Sequence, residues 1–327
     1  MITPVELARL LELPEPTPEQ ARVISAPLAP MAVIAGAGSG KSETMAARVV
    51  WLVANGLVRP ERVLGLTFTR KAAGELAARI RRRLDQLRDR LPQDELDRLG
   101  GEAALDGEPT VSTYHSYAAR LFGDHALRAA LEPTMRLISP AMAWQLAARV
   151  VDDYDGAMDG IDWRPDTVVR AVLDLSGELA EHLRTPEDVR EIGRRLRAQC
   201  DALPGRRGAA KNVLATQEIR ERLLPLVEAY QRAKIEREVL DYGDQVALAA
   251  RIARDHPDVG MIERSRYAVV LLDEYQDTSH AQLVLLTSLF GGGHPVTAVG
   301  DPCQSIYGWR GAGSGNLTGF PEDFPLP

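Results

Sequence analysis

Two pairs of residues in this chain have the chemistry to handle a phosphate and the water that attacks it. Lys41 and Ser42 close a run of small residues, Ala35-Gly36-Ala37-Gly38-Ser39-Gly40, and far downstream Asp273 and Glu274 stand side by side after an apolar run. Glycines let a backbone wrap so that successive N–H groups converge on an anion, helped by the N-terminus of the next helix. Against the pattern G-x-x-x-x-G-K-[ST], only the first position departs, with Ala35 for glycine. Lys41 suits the β- and γ-phosphates of a nucleotide, and the Ser42 hydroxyl suits a Mg²⁺ position. Asp273 suits the same Mg²⁺ through water. Glu274 is suited to orient and deprotonate the attacking water. Alone, the first motif reads as a flexible turn before a helix and the second as a helix cap. Together they predict a nucleotide site.

Strands must deliver these residues. Five short apolar runs read as strands: Met31–Ala35, Arg62–Thr67, Thr110–Ser112, Tyr267–Leu272 and Val296–Val299. They are continuously apolar rather than alternating, as in a parallel sheet covered on both faces. Helical patterns follow most of them, and the helix after the glycine turn is expected to stop at Gly56. Between about Leu121 and Leu240 the pattern changes to long helical periods such as "AMAWQLAARVV", with no buried strand. The expected architecture is α/β, a parallel sheet with an inserted all-helical subdomain. Its boundaries read as 1–118 and 241–316 for the α/β domain, 119–240 for the insertion, and 317–327 for a linker.

Composition narrows the class. Of 327 residues, 45% are apolar and 26% charged, as in globular proteins. No apolar run reaches the ~18 residues of a membrane span, so no membrane partner is expected. Two cysteines, Cys200 and Cys303, lack metal-ligand spacing and fit a reducing, cytoplasmic location. The net charge is −7, yet Arg70, Lys71, Arg79, Arg81, Arg82 and Arg83 stand close together against one acid, Glu75. Such a stripe reads either as a footprint for a phosphate backbone or as a solvated helix face.

Further segments show what the phosphate site serves. "PTPEQARVI", "AGAGSGKS", "LTFTRKAAGELAARI", "STYHSYAARLF", "VLDYGDQV", "LLDEYQDTSHAQ" and "VTAVGDPCQSIYGWRGA" occur in this order across residues 14 to 312. Their order and spacing resemble superfamily 1 DNA helicases of the UvrD/Rep/PcrA type. "GKSETMAARVVWLVANG" is most similar to the AdnB-type motor subunits of actinobacterial helicase–nucleases. The resemblance implies a RecA-like P-loop NTPase fold, ATP and Mg²⁺ as cofactors, and single-stranded or partly duplex DNA as partner. It also implies 3′→5′ movement, a role in repair or double-strand-break end processing, and a second helicase–nuclease subunit. A second motor domain with arginine fingers is expected after "FPEDFP"; without it, nucleotide binding and hydrolysis are expected to be weak.

The same resemblance gives roles to single residues. Gln20 reads adenine, its amide offering both an acceptor and donors. Gln304 senses the γ-phosphate. Phe68, Tyr307 and Trp309 stack on bases, a contact worth ~1–3 kcal/mol per base that tolerates any sequence. Arg70 and Arg310 pair with DNA phosphates or brace those rings, and His115 is a DNA or interdomain hydrogen-bonder. Asp241 reads as fixing loop geometry. Three positions depart from the family: Glu43 stands where an Arg often contacts nucleotide, Arg70 where Asn is usual, and Gly308 where Arg is frequent. Two alternatives stay open beside the motor. One is a P-loop enzyme acting on a small molecule; the other is a non-hydrolysing DNA-binding or assembly module of a helicase–nuclease complex.

Overall fold

The computed structural model describes residues 1–101, 104–158, 160–202, 207–305 and 315–327. They form two compact units, one of residues 1–121 with 252–327 and the other of residues 122–251. The seven strands are β1 (Met31–Ile34), β2 (Val63–Thr67), β3 (Thr110–Thr113), β4 (Arg136–Leu137), β5 (Val239–Leu240), β6 (Val269–Leu272) and β7 (Val296–Gly300). The helices before β3 are α1 (Pro4–Leu10), α2 (Pro18–Ile24), α3 (Lys41–Ala54), α4 (Arg70–Arg90) and α5 (Gln93–Leu99). Next come α6 (Tyr114–His125), α7 (Pro140–Asp152), α8 (Pro165–Glu181), α9 (Pro186–Asp201) and α10 (Arg207–Glu236). The last are α11 (Tyr242–Asp255), α12 (Pro257–Arg266), α13 (His280–Phe290) and α14 (Asn316–Asp323).

In the first unit, five parallel strands lie in the order β1-β7-β6-β2-β3. Every residue of β2, β6 and β7 is buried, which is why these strands read as unbroken apolar runs. On one face Val63, Val269, Leu271 and Val299 join a core with α1 to α5. All five strands lie where the sequence predicts them, within two residues at each end. The helix after the glycine turn also ends as predicted. Gly56, at φ 67°, donates to Val53 O, and Leu57 N–H returns to Leu52 O, satisfying the last carbonyls of α3.

The basic stripe belongs to α4, and much of it is neutralised within the protein. Arg83 is buried against Glu43, Arg79 lies 3.6 Å from the same carboxylate, and Arg81 pairs with Glu108 at 2.6 Å. Lys71 lies 3.9 Å from Glu75. Arg79, Arg81 and Arg83 therefore tie α4 to other segments, Lys71 pairs along the helix itself, and Arg70 and Arg82 are left exposed.

The second unit is helical around Leu146, Val172, Leu224, Val227 and Tyr230. It also holds a parallel pairing of Arg136–Leu137 with Val239–Leu240, where no strand is expected from sequence. Two residues are too few to carry a period. Just after β5, Asp241 and Asp244 each accept the other's backbone N–H, and both carboxylates accept from the buried Lys234 ammonium at 2.9 and 2.6 Å. Asp241 thus holds the start of α11. Among the described residues no helix is long and apolar enough to cross a membrane.

Candidate nucleotide and nucleic-acid site

Parallel strands bring their C-terminal ends to one edge, where α/β proteins bind ligands. Here β1, β7 and β6 are neighbours, so the phosphate loop, the segment after Gly300 and the Asp273–Glu274 pair share that edge. Ala35 N–H extends the β1–β7 ladder to Gly300 O at 3.0 Å. The loop then turns on itself, with the Ser39 hydroxyl donating to Gly36 O at 2.8 Å. Gly38 and Gly40 hold φ 73° and 80°, left-handed values that glycine adopts without strain. Gly40 caps α3, so Lys41, Ser42 and Glu43 form its first turn.

Lys41 Nζ lies 3.8 Å from Glu274 Oε2, bringing the candidate phosphate-binding cation to the candidate base. Asp273 is buried at the end of β6 and accepts Glu274 N–H at 3.1 Å. Burial, reinforced by the Glu274 charge, pushes its pKa up to about 6. From the first position of α6, just past β3, the buried Tyr114 hydroxyl donates to Asp273 O at 3.3 Å, fixing the carboxylate's backbone.

Gln20 sits at the third position of α2 in a capping box with Thr17. Its Nε2 donates to Ser39 O at 3.0 Å and its Oε1 accepts Thr17 N–H at 3.0 Å. The amide is thus joined to the glycine-rich loop, with one Nε2 hydrogen and one Oε1 lone pair still available to a ligand. Gln20, Gly36, Ser39 and Lys41 line a cleft of about 780 Å³, within the size range of small-molecule sites. The position of α2 depends on Arg48, a fully buried side chain of α3. Its guanidinium donates to the carbonyls of Val23, Ile24, Ala26 and Pro27 at 2.8–3.2 Å.

On the β7 side, Gln304 Nε2 donates to Asp301 Oδ2 at 2.6 Å. The buried Gln276, two residues past Glu274, donates to Glu274 Oε2 at 2.8 Å and accepts Asp301 N–H at 3.0 Å. Arg48, Gln276 and Asp301 were not among the sequence-derived site residues. Nothing in spacing marks them, since each acts through contacts made only in the folded chain.

Of the DNA-contact candidates, Phe68 follows β2, is half-buried, and packs its ring 4.9 Å from that of Tyr114. Arg70 is exposed at the start of α4, and His115 is half-buried in the first turn of α6. Phe68 and His115 thus follow adjacent strands of the sheet. Tyr307, Trp309 and Arg310 lie outside the described residues.

Glu43, the departure noted in the sequence, faces α4 rather than the phosphate loop. Its carboxylate takes Arg83 and Arg79, one helical turn apart. It thereby ties the first turn of the phosphate-loop helix to the helix that begins at Arg70. Glu43→Arg is expected to lower thermal stability by about 1–2 kcal/mol through like-charge contact. Arg83→Glu in the same chain should recover at least half of that loss, as neighbouring charges couple. Melting curves of the two singles and the double check this, and a double no more stable than either single would refute the pairing.

The chain matches the UvrD/REP helicase N-terminal domain over residues 16–325. It is 28% identical over 307 residues to the ATP-dependent DNA helicase PcrA of Staphylococcus epidermidis, and 27% identical to that of Staphylococcus aureus. Each alignment covers 94% of this chain and 36% of the relative, so the chain spans about a third of their length. A match over nearly the whole chain, on a parallel sheet with a phosphate loop and a carboxylate pair on one edge, makes this chain a member of the UvrD/REP helicase N-terminal domain family.

Proposed function

We propose that this chain is the ATP- and single-stranded-DNA-binding half of an ATP-dependent DNA helicase or translocase. The observation that carries the reading is the convergence of Lys41, the Asp273–Glu274 pair and Gln304 at three adjacent strand ends, with Lys41 Nζ 3.8 Å from Glu274. Its relatives are named ATP-dependent DNA helicases. In this reading Ala35 to Gly40 cradle the phosphates and Lys41 neutralises them. Glu274 takes the proton of the attacking water, and Gln304 senses the γ-phosphate. Phe68, Arg70, His115, Tyr307, Trp309 and Arg310 hold the DNA strand. Movement 3′→5′, a role in repair or end processing, and a second helicase–nuclease subunit complete the reading through family resemblance.

Asp273 and Ser42 would hold Mg²⁺. The fit is chemical: a buried carboxylate whose acidity is weakened by burial favours a divalent cation beside it. That donor set suits Mg²⁺, which takes one or two carboxylates and otherwise keeps water and substrate phosphates. When bound, Mg²⁺ supplies charge neutralisation on the phosphates.

The test is ATP hydrolysis by the intact native polypeptide with and without a deoxythymidine oligonucleotide. Stimulation by the oligonucleotide is expected. Trp309→Ala should weaken oligonucleotide binding by about tenfold, in line with the loss of one stacked base, and leave Mg-ATP binding in place. Hydrolysis indifferent to DNA would overturn the reading; unchanged DNA affinity in the variant would remove Trp309 from the DNA site.

A further inference from the structure

Glu274 has an unusual backbone for a base. It holds φ 51° and ψ 40°, the left-handed region, which costs a residue with a side chain of order 1–3 kcal/mol. Such a conformation persists only where the surroundings over-determine it. Backbone bonds hold the turn, Glu274 N–H to Asp273 Oδ1 at 3.1 Å and Asp277 N–H to Glu274 O at 2.9 Å, and Gln276 holds the carboxylate that it presents. Gln276 is 1% exposed, in the short 3₁₀ turn Tyr275–Asp277 that follows Glu274. Its Nε2 donates to Glu274 Oε2 at 2.8 Å and lies 3.4 Å from Asp277 Oδ2. Its Oε1 accepts the backbone N–H of Asp301 at 3.0 Å, on the strand end that leads to Gln304. A Cβ on Gly300 would collide with that same Oε1, so the absence of a side chain at the end of β7 makes room for the amide. Asp301 in turn accepts from Gln304 Nε2 at 2.6 Å.

We propose that Gln276 is a positioning residue for the hydrolytic step. Its amide spans from β6 to β7, aims the Glu274 carboxylate, and joins it through Asp301 to Gln304. Both ends of the amide are used with the polarity an amide alone provides, a donor toward a carboxylate and an acceptor toward a backbone N–H. The inference rests on the function proposed above.

Two substitutions in the intact native polypeptide separate aiming from support. Gln276→Leu removes both hydrogen bonds at similar volume. Gln276→Glu keeps an acceptor for Asp301 N–H but puts a second carboxyl group against Glu274. Each is expected to lower kcat of DNA-stimulated ATP hydrolysis by about 30-fold, less than the ~10²–10⁴-fold that losing a general base outright costs, with KM for ATP within about twofold. A merely structural Gln276 predicts instead that Gln276→Glu, with its tie to β7 kept, turns over like the wild type, and that outcome overturns the proposal. Wild-type kcat in Gln276→Leu overturns it as well, while leaving the helicase reading intact. Absence of DNA-stimulated hydrolysis in the wild type overturns both.

Discussion

Glu274→Gln is expected to abolish DNA-stimulated ATP hydrolysis, with a fall in kcat of about a thousandfold, while Mg-ATP still binds. The substitution changes almost no volume and keeps an oxygen to accept from Gln276, so the turn at the end of β6 has no packing reason to move. What it removes is the ability to take a proton. Nearby acids are poor substitutes. Asp273 is buried and faces the Mg²⁺ position in the proposed reading. Asp301 already accepts from Cys303 N–H and from Gln304. Lys41 loses the carboxylate 3.8 Å away, which frees its charge for phosphate and favours nucleotide binding slightly. Binding of a fluorescent ATP analogue together with steady-state hydrolysis on an oligonucleotide checks both halves of this expectation. Turnover at the wild-type rate would remove Glu274 from the role of base.

The residues of this site divide by how they can be seen in sequence. The phosphate loop and the Asp273–Glu274 pair are legible because local backbone needs dictate them: glycines at left-handed positions, an apolar strand before each, a helix after. The strands are legible because β2, β6 and β7 are buried on both faces and admit only apolar side chains over most of their length. Glu43 stood out as a departure, but its role did not. Its partners Arg79 and Arg83 lie on another helix, and in sequence they merge with neighbours that pair elsewhere. Gln276 was hidden for the opposite reason. It sits inside the segment "LLDEYQDTSHAQ", yet its bond to Asp301 N–H depends on β7 lying beside β6, a fact of topology that no local pattern contains. Long-range polar contacts were the part of the site that sequence could not supply.

Arg48 is the strongest case of such a contact, and Arg48→Leu is expected to cost about 3 kcal/mol of stability by leaving buried carbonyls without a donor. In sequence it is one charged residue in the run "MAARVVWLVA", as readily a side chain reaching out to solvent as one sealed in the core. In the fold it is fully buried, and burial lowers its pKa to about 10, leaving it charged in neutral solution. Among the described residues no carboxylate pairs with it; desolvation alone drives its shift. Four carbonyls at and beyond the end of α2 take its N–H groups instead. Carbonyls at a helix C-terminus carry the negative end of the helix dipole and so favour a cation there. For a unit of this size ~3 kcal/mol corresponds to a fall in melting temperature of roughly 6–12 °C. Arg48→Lys should lie between wild type and Arg48→Leu, since an ammonium has three donors and a shorter reach. A second effect follows from α2. Its Gln20 touches the phosphate loop through Ser39 O, so loosening α2 should also raise KM for ATP while kcat at saturation changes less. Melting curves and steady-state kinetics on the same samples separate the two effects, and Arg48→Leu melting with the wild type would show that the carbonyls find other donors.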